Sequence, residues 1–331
     1  MSGAPTLTDV ATAAGVSPAT ASRVLSGSVR VTTSTRRRVN EAVARLGYVR
    51  RRAMYTLDRM RTRQVVAAAI CEPLPRVLTN PAHLRLLGTC EEALSERGSS
   101  LVVVPSTGAM AVQSLLTGAY GGVLLIGAAD QQPVAVALAA SGVPVRSAGR
   151  PPEGAAVPYV DVDNADGARQ AARHLLRSGR QRIGVIAGPR GMPTAQDRLD
   201  GFVRTLREAG IEDIPVAHGD FSHASGTHAM RWLLDRSPHL DAVFAIADTM
   251  AAGALQALRR TGRRVPDDVA AVGFDDAHFA KHLDPPLTTV RQPVEELALR
   301  ATTLLLSDMT GHACDDDGRP LPTELVVRHS A

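Results

Sequence analysis

The sequence predicts a small all-α head followed by an α/β body of two doubly wound parallel-sheet lobes. Three observations carry this: positive charge gathers at the N-terminus, helix-type apolar periodicity fills the first 46 residues, and strand-like and helix-like segments alternate thereafter. With 331 residues, 44% hydrophobic and 21% charged, the chain can bury more than one core. Residues 1–63 carry twelve arginines against Asp9, Glu41 and Asp58, a charge of +9, which leaves −5 on the rest of a chain of net +4. A compact basic head on a mildly acidic body points to a polyanionic partner for the head, and nucleic acid is the commonest one.

Thr6-x-x-Asp9 reads as a capping box that opens a first helix, with Val10, Ala11 and Ala14 on its inward side and Gly15 at its end. Ser17-Pro18 then supplies an N-cap followed by proline at the first helical position, where a missing N–H costs nothing. The second helix runs to Leu25 with Ala21, Val24 and Leu25 inward, and Pro18, Ala19, Ser22 and Arg23 outward. Two short helices joined by a glycine turn make a helix-turn-helix, whose second helix reads the major groove through its N-terminal residues. A third helix starts at Thr32 as N-cap, buries Val39, Val43 and Leu46, and closes at Gly47. Arg36, Arg37, Arg38 and Arg45 on it suit phosphates, which position a protein on DNA without reading sequence.

The run Thr6-Leu-Thr-Asp-Val-Ala-x-x-Ala-Gly-Val-Ser-x-x-Thr-x-Ser-Arg-Val-Leu25, with Val31 onward to Leu46-Gly47-Tyr48, resembles the headpiece of LacI/GalR transcription regulators. The resemblance implies base contacts from Pro18 and Ala19, the latter on a thymine methyl. It gives Arg23 the direct readout of guanine, and Thr20 and Ser22 a phosphate or base. Thr6, Ser17, Arg30, Thr35, Arg51 and Met54 complete the implied DNA-contacting set. Where the family has a hinge helix that wedges a leucine into the minor groove, this chain places Leu57 in register. It replaces the family's Pro-Asn pair with Arg50-Arg51 and a small alanine with Met54. The implied organisation is a headpiece over 1–49, a hinge over 50–63 and an effector-binding domain over 64–331.

In the body, Val65–Ile70, Ser100–Val104, Gly122–Ile126, Ile183–Ala187, Ala242–Ile246 and Val269–Gly273 read as strands. Helices fall near 83–97, 109–117, 165–178, 196–209, 223–236 and 249–261. The pattern restarts around Asp161–Gly167, so two lobes are expected with a ligand cleft beyond the carboxyl ends of their strands. The first lobe takes about 64–160 plus 293–320, and the second about 161–292 plus 321–331. Arg198-x-x-Gly201-Phe202, Gly219-Asp220-Phe221, Val272-Gly-Phe-Asp275-Asp276 and Pro285-Pro-Leu-Thr-Thr-Val-Arg-Gln292 resemble the periplasmic-binding-protein-like effector domain of the same regulators. The resemblance implies Arg198 as donor to ligand hydroxyls or carboxylate, Asp275 as acceptor, Phe221 as an aromatic wall and Gln292 beside them, with Asp248 and Arg150 completing the effector-binding set. In the first lobe, Cys71-Glu72-Pro73-Leu74-Pro75 stands where the family has an Asn-Pro-aromatic-aromatic stretch. Trp232 and Phe202, at helical spacing with Leu233 and Leu206, read as core.

Other function classes lack their signatures. There is no P-loop, zincin helix, nucleophile elbow or dinucleotide fingerprint, so an enzyme is not expected, and no cofactor is implied. Cys71, Cys90 and Cys314 lie 19 and 224 positions apart without a C-x-x-C pair, and read as reduced packing residues rather than disulfides or zinc ligands. Asp315-Asp316-Asp317-Gly318 lacks the alternating ligands of a calcium loop and reads as a solvated turn. No apolar run spans a membrane and no signal peptide precedes the head, so a cytoplasmic, nucleoid-associated protein is expected. The expectation is a homodimeric repressor on a palindromic operator in double-stranded DNA, controlled by a sugar or related metabolite. The alternatives are a regulator without a small-molecule effector and a stand-alone solute receptor.

Overall fold

The structure, a computed structural model, describes residues 7–25, 32–46, 65–106, 108–117, 120–129, 133–311 and 316–331. Two compact units divide the chain, Met1–Arg59 and Met60–Ala331.

The first unit holds α1 (Leu7–Ala14), α2 (Pro18–Leu25) and α3 (Thr33–Leu46). Val10, Ala11, Ala14, Ala21, Val24, Val39 and Ala42 form its core, and Val16, Val43 and Leu46 pack against it partly buried. Gly15 makes the turn at φ +62°, a left-handed conformation that a Cβ would disfavour. Two of the caps read from the sequence are formed: Ser17 Oγ accepts from the Thr20 N–H at 3.2 Å, and Thr32 Oγ1 from the Thr35 N–H at 3.3 Å, while Thr6 of the first lies outside the described residues. Arg45, expected on phosphate, donates to the Ala13 carbonyl at 3.3 Å and so ties α3 to α1.

The second unit contains two sheets. The first comprises β1 (Val65–Ile70), β2 (Ser100–Pro105), β3 (Gly122–Ile126), β4 (Val145–Ala148) and β5 (Tyr159–Val160), in the order β2-β1-β3-β4-β5, all parallel. Its helices are α4 (Leu74–Thr79), α5 (Pro81–Ser95), α6 (Ala109–Thr117) and α7 (Val134–Ala139). The second lobe follows with α8 (Asn164–Arg177), β6 (Ile183–Ala187), α9 (Pro193–Glu208), β7 (Val216–His218), α10 (His223–Arg236), β8 (Ala242–Ala245), α11 (Asp248–Arg260), β9 (Ala270–Asp275) and β10 (Thr288–Arg291). After α12 (Val294–Thr310), β11 (Glu324–Val326) completes a six-stranded sheet in the order β11-β10-β9-β8-β6-β7. Only the β10–β11 pair is antiparallel. Each sheet thus reverses direction beside its first strand, between β1 and β3 in one lobe and between β6 and β8 in the other. Such switch points open crevices at the carboxyl ends of strands.

The chain crosses between lobes three times, after β5, after β10 and before β11. The first and third crossings run side by side: Val162 bridges Leu321, and the Asp163 N–H donates to the Leu321 carbonyl at 2.8 Å. The crossing after β10 returns α12 to the first lobe, where Leu297, Ala298, Ala301 and Leu305 share a core with Val66, Ala68, Ile70 and Leu94. That helix, along with α4, α7, β4, β5, β7 and β10, escapes the sequence reading because these elements are short or, in α12, apolar on several sides. Phe202 is fully buried as expected and stacks on Phe244 at 4.4 Å between centroids. Trp232 is a correction, since it is 38% exposed and lies beneath the Arg236 guanidinium instead of in the core. Asp316 and Asp317 are exposed, and both bind the Arg300 guanidinium.

Candidate functional site

In the head, Pro18, Ala19 and Arg23 lie exposed on α2, while Ser17 and Thr20 share a hydroxyl contact of 2.9 Å at its start. Ser22 is placed on the same helix. Thr35 stands in the first turn of α3 and receives a hydrogen bond from the Thr32 hydroxyl at 2.9 Å. Thr6, Arg30, Arg51, Met54 and Leu57 lie outside the described residues.

In the body, one cavity of about 120 Å³ sits between the lobes and is lined from both. From the second lobe come Arg198, Phe221, Asp275 and Gln292, and from the first come Glu72, His83, Gly127 and Arg150. Arg198 extends from α9 and is only 8% exposed. Its Nε donates to Asn164 Oδ1 at 2.8 Å, while Nη1 donates to the Ile246 carbonyl at 2.8 Å and to Asp275 Oδ1 at 3.2 Å. The guanidinium lies 3.7 Å above the Phe274 ring. Gln292 Nε2 adds a second donor to Asp275 Oδ1 at 2.6 Å. Burial pushes the Asp275 carboxyl up, against the pull of Arg198, Arg85 and Gln292.

Asp275 ends β9 at φ 113°, Asp276 follows at φ 47° and Phe221 has φ 66°. These three are the non-glycine residues of positive φ among the described residues, and two of them line the cavity. Such conformations cost about 1–3 kcal/mol each and persist where surroundings fix them. Asp276 is fixed by Arg328 at 2.5 Å and Arg291 at 2.8 Å.

Asp248 is not brought to the cavity. It is fully buried at the start of α11, joined to Thr289 Oγ1 at 2.5 Å and accepting from the Ala277 N–H at 2.7 Å. The turn after Asp275 therefore rests on Asp248 from behind. The fit needs Gly273, where a Cβ would stand 2.2 Å from Asp248 Oδ1. Burial and the neighbouring Asp275 carboxylate push Asp248 well above the ordinary carboxylate range. Arg150 reaches the cavity wall with its guanidinium held by Asp197 at 2.6 and 3.1 Å, and its N–H donates to Asp161 at 2.8 Å.

Sequence reasoning placed the 71–75 stretch on the first-lobe wall but gave Glu72 and His83 no role there. Glu72 follows β1 and His83 stands in the first turn of α5, both at the β1/β3 switch point, which is the positional signal that could have found them. Between the lobes, Arg76 of α4 joins Asp220 of the second lobe at 2.5 Å. Among the described residues no cluster of three or more His, Cys, Asp or Glu could hold a metal ion. Cys71 and Cys90 are buried, with thiols pushed up to about 12 and about 11 by that burial. No described helix is long and apolar enough to cross a membrane.

Comparison with known proteins agrees with this geometry over both units. Residues 6–51 match the lacI family of bacterial regulatory proteins, and residues 172–331 match a periplasmic binding protein-like domain. The HTH-type transcriptional regulator CelR of Thermobifida fusca is 42% identical over 98% of this chain and 98% of its own. The HTH-type transcriptional repressor CytR of Escherichia coli K12 is 33% identical over 99% and 96%. Among solved structures, a complex of the transcriptional regulator CelR with cellobiose shares 39% identity at TM-score 0.75, covering 99% of this chain and 100% of that one. A lac repressor dimer bound to operator and an anti-inducer shares 29% at TM-score 0.72, covering 99% of each. The likeness runs through helix-turn-helix and cleft alike, and the chain belongs to the lacI family of bacterial regulatory proteins, DNA-binding regulators of transcription.

Proposed function

We propose that the protein is a homodimeric, nucleoid-associated repressor whose inter-lobe cleft takes a neutral sugar of the cellobiose type. The observation that carries the reading is the second-lobe wall, where Arg198, Asp275 and Gln292 alternate donors and acceptors beside the Phe221 ring, the pattern that recognises hydroxyls against an apolar sugar face. The solved CelR–cellobiose complex, at 39% identity, supports that ligand class. On DNA, Pro18, Ala19 and Arg23 face bases, and Ser17, Thr20, Ser22 and Thr35 position the head on phosphates. Thr6, Arg30, Arg51, Met54 and Leu57 extend that surface in the family's register. Sugar in the cleft favours one arrangement of the lobes and changes operator affinity, and by linkage operator changes sugar affinity by the same factor.

The test selects operators from random duplexes with the full-length protein, then measures their affinity with and without cellobiose. A palindromic site whose affinity shifts at least fivefold supports the reading, and sugar affinity that is equal with and without operator sinks the switching mechanism. Arg23→Ala should relax discrimination at one base pair by about 1–3 kcal/mol and leave sugar binding unchanged.

A further inference from the structure

The two walls of the cleft differ in how their polar groups are satisfied. On the second lobe, Arg198, Asp275 and Gln292 bind one another. On the first lobe, Glu72 is 8% exposed, and its ion-pair partner among the described residues is His83, with Nε2 and Oε1 4.0 Å apart, beyond hydrogen-bond reach. The His83 Nδ1 is enclosed without a hydrogen-bond partner. Arg76, whose charge favours the Glu72 carboxylate, is tied to Asp220, and burial still pushes Glu72 up. The space before Glu72 is kept clear by Gly127, where even an added Cβ would stand 3.8 Å from Oε1. Buried polar groups in a native protein have partners, so a pair left short on a cavity wall points to a partner that arrives with the ligand.

We propose that Glu72 and His83 form the first-lobe half of a hydroxyl-reading site and select a neutral sugar that presents two adjacent hydroxyls to this wall. The proposal rests on the sugar reading of the cleft and names its specificity residues. Glu72 accepts from one hydroxyl. Burial lowers His83 to about 4, so at neutral pH its ring is uncharged, and Nε2, the nitrogen on the Glu72 side, donates to or accepts from the second hydroxyl according to its tautomer. A vicinal diol fits both groups, as a single carbonyl or an alkyl group does not. The charge balance sets the complementary exclusion. Glu72, Asp161 and Asp275 line the cavity with Arg198 and Arg150, and these two cations are already held by Asp275 and Asp197. A uronic acid or sugar phosphate meets like charge at this wall and is rejected.

The test is calorimetric titration of the full-length protein with cellobiose, other neutral mono- and disaccharides, the carboxylate-bearing analogue of each, and monodeoxy derivatives of the tightest ligand. Glu72→Ala, Glu72→Gln and His83→Asn are compared with the wild type, and operator binding serves as the check on folding. The expected result is a 10- to 100-fold loss in Glu72→Ala and a smaller loss in Glu72→Gln and His83→Asn. One deoxy derivative should bind the wild type equally weakly yet lose nothing further in Glu72→Ala, because residue and hydroxyl form one pair. Wild-type protein that binds no neutral sugar overturns the proposed effector class and this inference together. Tight wild-type binding that is indifferent to the variants overturns the inference alone, as does a ligand whose every deoxy derivative binds as tightly as the parent. If the alanine variant fails to fold, the glutamine variant and the deoxy series decide.

Discussion

The two walls of the cleft differ in who completes them. The second-lobe wall is finished by the protein: Arg198 is anchored at three points, Asp275 takes two donors, and the strained turn after it is backed by Asp248. The first-lobe wall, with Glu72 and His83 unpaired by hydrogen bonds, waits for a ligand. A pre-organised wall contributes affinity because little ordering remains to be done on binding, whereas an unsatisfied wall contributes discrimination because a ligand lacking the right groups leaves buried polar atoms unpaired. Sugar class should therefore be set by the second lobe, and identity within the class by the first.

The hardest blow to this contrast is Arg198→Met. Removing the cation leaves Asp275 and Asn164 buried without their donor, and stability should fall by about 3–5 kcal/mol in denaturant titration, with sugar binding lost. The same truncation at Glu72 should leave stability nearly untouched, and an equal loss at both sites would erase the distinction. Gly273→Ala probes the support behind Asp275. With Asp248 Oδ1 only 2.2 Å from the added Cβ, overpacking should cost about 1–3 kcal/mol and weaken sugar binding, while operator binding in sugar-free buffer persists.

Asp248→Asn separates shape from charge. The raised carboxyl of Asp248 contributes stability fully below the ordinary carboxylate value of about 3.8, and that contribution is lost as pH climbs toward its folded value. The amide keeps the shape and does not titrate. The variant should therefore gain on the wild type between pH 4 and neutrality, as thermal unfolding at a series of pH values would show. Parallel pH profiles would mean that Asp248 is ionised in place. The smallest effect is expected at Arg76→Ala. Both members of that pair are about 40% exposed, at 44% and 39%, so stability should change by no more than about 1 kcal/mol. Sugar dissociation should quicken, and salt should no longer affect it.

Much of this was legible beforehand. The head declares itself through capping residues and apolar spacing, and Asp275, Phe221 and Gln292 stand in family motifs at or just beyond the carboxyl ends of strands, with Arg198 in a motif on α9. Asp248 was misplaced because the residue opening a helix after a strand faces the crevice or the core depending on the local twist. Here Thr289 and Ala277 draw it into the core. Glu72 was seen only as part of a departure from the family's pattern and His83 not at all, because ten residues of intervening chain hide a spatial pair. Trp232 misled because helical spacing gives a direction and not a depth, and Arg236 covers its ring from the solvent side.

The return of α12 to the first lobe has a consequence for synthesis. Leu297, Ala301 and Leu305 complete the core around Val66, Ile70 and Leu94, so the lobe that leaves the ribosome first is sealed only near the end of synthesis. By then the second lobe lacks only its edge strand, β11. For most of translation the nascent chain carries an open apolar face near its beginning. The risk of aggregation therefore falls on residues made early, and a chain stopped before α12 should display a soluble second lobe burdened by an unfinished first.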